Sequence, residues 1–144
     1  MDYGFIIGVS SSKHILIRTG TGEDLSRAGI TSIDLGTPVP TEKHFSLQLS
    51  RVSGVAVIDD VAISDSSDRL AWIVVTGPCK SSLCISGLHG EDMHELGRIN
   101  WLSEPSATSS NLKINYWPQA IRWLPDGKRI SFVLKNELYV LDVD

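Results

Sequence analysis

Two stretches of the chain repeat one pattern: Val61–Trp72 reads VAISDSSDRLAW, and Ile121–Phe132 reads IRWLPDGKRISF. They align without a gap, sixty residues apart, and each has an apolar run, a polar turn, an arginine and a second apolar run. A weaker copy, one residue shorter in its turn, is Ile7–Ile17. Short runs rich in β-branched and aromatic residues, bounded by Gly, Ser, Asp or Pro, are typical of β-strands. The pattern therefore predicts three copies of one β-hairpin.

A further apolar run follows each copy, at Ile30–Leu35, Leu83–Leu88 and Leu138–Val143. No stretch sustains helical periodicity over three turns, so we expect an all-β fold. Repeats of about 40–60 residues built from four short strands are typical of β-propeller blades. We expect one partial propeller domain with blade one at residues 1–50, blade two at 54–103 and blade three at 117–144, the last with three strands instead of four.

Two of the runs, Leu70–Val75 and Ile130–Leu134, are apolar at almost every position. A sheet with one face in water would alternate apolar and polar residues. A continuous apolar strand therefore needs cover on both of its faces. We expect antiparallel sheets stacked face to face, as in a propeller or a multilayer sandwich.

The third copy, WLPDGKRISF followed by NELYVLD, resembles the blade signature of TolB-type, WD-repeat-like β-propellers. Leu124 stands where that signature has Ser, and the second copy has Asp65-Ser66-Ser67 in place of Pro-Asp-Gly. The resemblance implies propeller blades and suggests an extracytoplasmic setting. Similar blades occur in prolyl-oligopeptidase-like enzymes, but the chain has no Gly-x-Ser-x-Gly nucleophile elbow.

The residues of this motif are interpreted as structural. A proline fixes φ, an aspartate bonds its own turn backbone and a glycine accepts a positive φ, so Pro-Asp-Gly closes a hairpin between two strands. The large side chains are expected to fill the space between blades. The blade-motif residues are Trp123, Pro125, Asp126, Gly127, Ile130, Phe132 and Tyr139.

About eleven strands are too few for a closed ring, since closed propellers have about 4–8 blades. The outer faces of the first and last blades are expected to be apolar, and the last strand to lack a neighbour. We therefore expect a non-catalytic module that binds itself or another protein that completes the propeller, as a head-to-tail ring or a filament. The alternative is the propeller portion of a larger enzyme, such as a prolyl-oligopeptidase-like peptidase, where it would gate substrate access.

Composition narrows the range of partners. Thirteen basic and 17 acidic residues give a formal net charge of −4, which disfavours binding to nucleic acid. No apolar run approaches the roughly 20 residues that span a bilayer, so no membrane insertion is expected. The first residues lack the basic region and the apolar core of a signal peptide.

No cofactor, metal or catalytic site is predicted. Cys79 and Cys84 suit either a disulfide across a hairpin loop or two free thiols, and their spacing does not fit Cys-x-x-Cys. His89–Glu95 is interpreted as a solvated turn. The polar stretch Ser103–Asn111 is interpreted as an inter-blade loop that could contact a partner. Four acidic residues do not have the spacing of a calcium loop: Asp59, Asp60, Asp65 and Asp68.

Overall fold

The computed structural model describes residues 5–19, 29–46, 57–77, 80–100 and 118–144. These residues form eleven β-strands and no helix, which confirms the all-β prediction. No helix among them is long and apolar enough to cross a membrane. The strands are β1 (Phe5–Val9), β2 (His14–Thr19), β3 (Gly29–Asp34), β4 (Thr41–Ser46), β5 (Val57–Ile63), β6 (Arg69–Gly77), β7 (Lys80–Gly87), β8 (His94–Asn100), β9 (Gln119–Trp123), β10 (Arg129–Leu134) and β11 (Glu137–Asp142).

The strands form three separate antiparallel sheets, and none of them closes into a barrel. The first sheet has the order β1-β2-β3-β4, the middle sheet β5-β6-β7-β8 and the third sheet β9-β10-β11. Each strand therefore pairs with its neighbour in sequence. β5 contacts β1 on one side and β9 on the other, so the initial strands of the three sheets lie next to one another.

The first hairpin of every sheet is built in the same way. One backbone hydrogen bond closes each turn, from the residue after the first strand to the carbonyl of the first residue of the second strand. The last residue of the first strand then pairs with the second residue of the next strand, which confirms the three copies of one hairpin. The closing bonds are Ser10 N to His14 O (2.8 Å), Ser64 N to Arg69 O (2.9 Å) and Leu124 N to Arg129 O (2.8 Å).

The middle sheet is buried on both faces. Alternate residues of a strand point to opposite faces. Leu70, Trp72 and Val74 of β6 pack in a core shared with the first sheet. Ala71 and Ile73 pack in a second core shared with the third sheet. This stacking accounts for the continuous apolar run in β6, because every side chain in its centre meets another sheet.

The turn between β9 and β10 contains the Pro-Asp-Gly motif. Gly127 has a φ of +65°, and its N–H donates to the Leu124 carbonyl at 2.9 Å. Asp126 Oδ1 accepts hydrogen bonds from the backbone N–H groups of Lys128 (2.9 Å) and Arg129 (3.1 Å). The bond from Lys128, followed by the hydrogen bond from Arg129 Nε to Asp126 Oδ2 (2.6 Å), holds the pKa of Asp126 below its usual value. The turn therefore satisfies its own polar groups.

We predict that Gly127→Ala destabilises the fold by about 1–2 kcal/mol, since a side chain at positive φ is strained. A Cβ at this position would also overlap Ser66 Oγ of the middle sheet. The measurement is chemical unfolding followed by circular dichroism. Gly97→Ala is the matched control, because a Cβ there meets no atom within 4 Å. Equal stability of the two variants would contradict the prediction.

Candidate interaction surface

The contacts between neighbouring sheets follow one rule. In the repeat alignment, Leu70 and Trp72 of the middle sheet correspond to Ile130 and Phe132 of the third sheet. Leu70 and Trp72 pack on the first sheet, and Ile130 and Phe132 pack on the middle sheet. Each pair thus contacts the sheet that comes before its own in the chain. We call this side of a sheet its preceding face and the opposite side its following face. Each internal contact thus joins the following face of one sheet to the preceding face of the next.

Among the described residues, no sheet packs on the preceding face of the first sheet, and β1 and β2 place apolar side chains on this face. Ile15 and Ile17 of β2 stand there, at the positions of Leu70 and Trp72 in the middle sheet. Ile6 and Val9 of β1 pair with Ile17 and Ile15 and extend the same face. Ile6 is 74% exposed and Val9 is 52% exposed. At the corresponding positions of the middle sheet, Leu70 and Trp72 are fully buried, and Val61 and Ile63 are partly buried.

No described residue covers the following face of the third sheet, which carries the apolar side chains of Val133, Leu138 and Val140 beside the polar Ser131 and Arg122. Leu138 and Val140 of β11 correspond to Leu83 and Ile85 of β7. Leu83 and Ile85 are only 3% and 1% exposed, because the third sheet packs on them. Leu138 and Val140 are 69% and 52% exposed. Equivalent apolar positions are therefore covered inside the chain and uncovered at its last sheet.

Hydrogen bonds, an ion pair and a cation–π contact join the middle sheet to the third sheet. Arg69 Nη2 donates to the Gly127 carbonyl at 2.8 Å, and Arg69 Nη1 pairs with Asp144 Oδ1 at 3.0 Å. The guanidinium also lies 5.1 Å from the ring centroid of Trp123, in cation–π range. Asp60 Oδ2 accepts the backbone N–H of Ile121 at 2.9 Å.

Similar polar contacts join the first sheet to the middle sheet. Ser11 Oγ donates to Asp68 Oδ1 at 2.6 Å, and Arg18 Nη1 donates to the Ile58 carbonyl at 2.9 Å. The Ser11 hydrogen bond is the main reason that the pKa of Asp68 lies below its usual value. Asp60 and Asp68 thus serve as hydrogen-bond acceptors between sheets.

The large blade-motif residues lie at the contact between the middle and third sheets. Ile130 and Phe132 are buried in the second core, and Trp123 packs against it. Trp123 Nε1 donates to the Ala62 carbonyl at 3.2 Å. Tyr139 stacks on Phe132 with ring centroids 5.5 Å apart. Pro125 is exposed at the tip of the turn.

One open groove of about 570 Å³ lies between the first sheet and the turn that joins β7 to β8. Phe45 of β4 and His89 of that turn stack in it, with ring centroids 3.8 Å apart. Burial lowers the pKa of His89, and the nearby Glu91 carboxylate opposes this effect. The sequence did not predict the Phe45–His89 pair because no local pattern links residues 45 and 89.

No cluster of three or more metal-ligating side chains occurs in the part of the chain that the structure describes.

Of the two cysteines, only Cys84 lies among the described residues. Cys84 is a free, buried thiol in β7, whereas Cys79 lies outside the described residues. Burial, with a smaller effect from Glu95, raises the pKa of Cys84 to about 12. Because Cys79 lies outside the described residues, the choice between a Cys79–Cys84 disulfide and two free thiols stays a prediction. A free thiol with this pKa is inert at neutral pH because almost none of it is thiolate.

We predict that Cys84 resists alkylation in the folded protein. In a Cys79→Ser variant, iodoacetamide at pH 8 should modify Cys84 about a thousandfold more slowly than in urea, from the thiolate fraction at a pKa of about 12. Mass spectrometry follows the reaction. The same measurement on the unmodified chain, with and without reductant, tests the Cys79–Cys84 pairing. Rapid labelling of folded Cys84 would contradict the prediction.

Comparisons with protein-family models, with curated proteins and with solved structures found no match. The three antiparallel sheets of three and four strands are compatible with propeller-like blades. The inter-blade loop predicted at Ser103–Asn111 lies outside the described residues. The candidate interaction surface consists of the preceding face of the first sheet and the following face of the third sheet.

Proposed function

We propose that the protein is a non-catalytic assembly module, built from three propeller-like blades, that associates with further copies of itself. The observation that carries the proposal is the exposure of Leu138 and Val140 at positions equivalent to the buried Leu83 and Ile85. Fully burying an aliphatic side chain contributes about 1.5–3 kcal/mol. Leaving Leu138 and Val140 side by side in water forgoes this stabilisation unless another surface covers them.

A second copy of the chain suits this face because it offers the complementary one. Inside the chain, a following face packs on a preceding face at both internal contacts. The uncovered face of the third sheet is a following face, and that of the first sheet is a preceding face. Stacking the third sheet of one copy on the first sheet of the next continues the same arrangement. The interface is therefore heterologous, or head to tail.

The outcome of such stacking depends on the rotation from each sheet to the next. Two copies would place six sheets around one axis, which lies within the range of about 4–8 blades in closed propellers. A rotation that does not close would give a filament. In both cases, the protein acts as a scaffold whose turns and loops are displayed at regular intervals.

We expect the purified protein to be a dimer or a larger species at low micromolar concentration, measured by light scattering after size-exclusion chromatography. Val140→Lys should weaken association at least about tenfold, because a cation replaces a side chain that the interface buries. Val39→Lys is the control, since Val39 is 73% exposed and belongs to the connection between β3 and β4, not to a strand of either face. A folded, monomeric wild-type protein would overturn the proposal.

A mixing experiment tests the head-to-tail arrangement itself. Ile6→Lys damages the first sheet's face, and Val140→Lys damages the third sheet's face. Each variant alone should be monomeric, and their mixture should form a dimer through the one pair of intact faces. A two-fold symmetric interface would need the same patch on both copies. Failure of the mixture to form a dimer would exclude the head-to-tail arrangement.

A further inference from the structure

β11 is the edge strand of the third sheet, because among the described residues it pairs with β10 alone. A two-residue turn, Lys135–Asn136, joins β10 to β11, with φ values of 52° and 63° that match a type I′ turn. In such a hairpin, the residues next to the turn, Leu134 and Glu137, exchange hydrogen bonds.

Hydrogen bonding to the partner strand alternates along an antiparallel strand. Counting from Glu137, Tyr139 and Leu141 direct their N–H and C=O groups to β10. The bond from Val143 N to Lys128 O, 2.9 Å long, agrees with this alternation. The backbone groups of Leu138, Val140 and Asp142 therefore point to the open edge of the sheet.

The equivalent edges of the other two sheets carry features that discourage strand pairing. β4 has the adjacent charges Glu42 and Lys43. β8 has an ion pair, Arg98 Nε to Glu95 Oε1 at 2.7 Å, and an irregular register opposite Leu83 and Cys84. Charges and bulges are the usual protection of edge strands against added strands.

β11 has no bulge, and its charged residues stand only at its two ends. Its four central residues, Leu138–Leu141, are uncharged, and its register with β10 is regular over six consecutive pairs. The two ends of the strand carry the acidic residues Glu137 and Asp142. An edge strand with a regular register and an uncharged centre is a template to which an extended peptide adds as a further strand.

The acidic ends of β11 set the charge that a matching strand should carry. In an antiparallel pair, residues opposite each other both direct their backbone groups to the partner strand or both direct them away from it. Two copies of β11 would therefore pair with Val140 opposite Val140 and Asp142 opposite Leu138, which forms no opposite-charge pair. A partner strand with cationic ends would instead gain an opposite-charge pair at each end.

We propose that β11 binds an extended segment of a partner protein, in which a lysine or arginine flanks an uncharged, β-branched centre at each end. The segment would add to the third sheet as its fourth strand, with its backbone bonded to Leu138, Val140 and Asp142. This site is the edge of the sheet, whereas the proposed self-association uses the face. The two sites can therefore be occupied, and can fail, independently.

Binding is tested on the Ile6→Lys variant, which keeps β11 intact and removes head-to-tail association from the measurement. The probe is the labelled peptide Lys-Thr-Val-Thr-Val-Lys, followed by fluorescence anisotropy. The matched control peptide has glutamate at both ends. We expect the lysine-ended peptide to bind about tenfold more tightly, since two charge pairs change sign. Equal affinities, or no binding of either peptide, would overturn the proposal.

Two variants tie the binding to β11. Val140→Pro removes an N–H that points to the open edge, and the peptide affinity should fall at least about tenfold, whereas Val140→Thr keeps that N–H and should bind normally. The double variant Glu137→Lys, Asp142→Lys should reverse the preference and select the glutamate-ended peptide. This double variant tests the proposal even if the Val140→Pro variant does not fold. Unchanged preference in the double variant would overturn the proposal.

Amide exchange gives a residue-level readout. In NMR spectra of the Ile6→Lys variant, the lysine-ended peptide should slow exchange at Leu138, Val140 and Asp142. Tyr139 and Leu141, already bonded to β10, should change little. Slowing at β4 or β8 instead of β11 would place the peptide elsewhere and refute the assignment. If the Ile6→Lys variant has the mass of two copies, and adding Val140→Pro to it restores the mass of one copy, β11 pairs with a second copy. This result would also refute the proposal of a partner segment.

Discussion

The structure depends on the burial of the middle sheet between its two neighbours. β6 presents Leu70 and Trp72 to the first sheet and Ile73 to the third, and all three side chains are inaccessible to solvent. A sheet that is apolar on both faces is stable only as an inner layer. This constraint fixes the stacking of three sheets. It also leaves the first and third sheets with one apolar face each that nothing in the described part of the chain covers.

Much of the fold could be predicted from the sequence because its decisive signals are local. The run of Leu70–Val75 and the polar turns beside it depend on neighbours in sequence, and the sixty-residue repeat fixes how the hairpins correspond. Meander pairing follows, since successive strands joined by short turns pair with one another. Exposed apolar side chains on the outer sheets were also predicted, from the expectation that three propeller blades are too few to close a ring.

The details of the contacts between sheets could not be predicted in this way. The stacking of Phe45 on His89 and the bonds from Arg69 to Gly127 and Asp144 join residues far apart in sequence. Such pairs depend on the rotation of one sheet against the next, which no local pattern encodes. The roles of Asp60 and Asp68 could not be predicted either. In the sequence they belong to one acidic cluster, whereas in the fold Asp60 accepts a hydrogen bond from Ile121 and Asp68 accepts one from Ser11.

The meander topology of the three sheets bears on protein synthesis. Every strand pairs with one that has just left the ribosome, so each sheet can form without waiting for distant segments and with little loop-closure entropy. The first sheet is complete before the middle sheet, and the middle sheet before the third. Translation order thus equals stacking order. Under the head-to-tail association proposed above, a finished first sheet on a polysome would be a binding site for the third sheets of neighbouring nascent chains, and assembly would begin during translation.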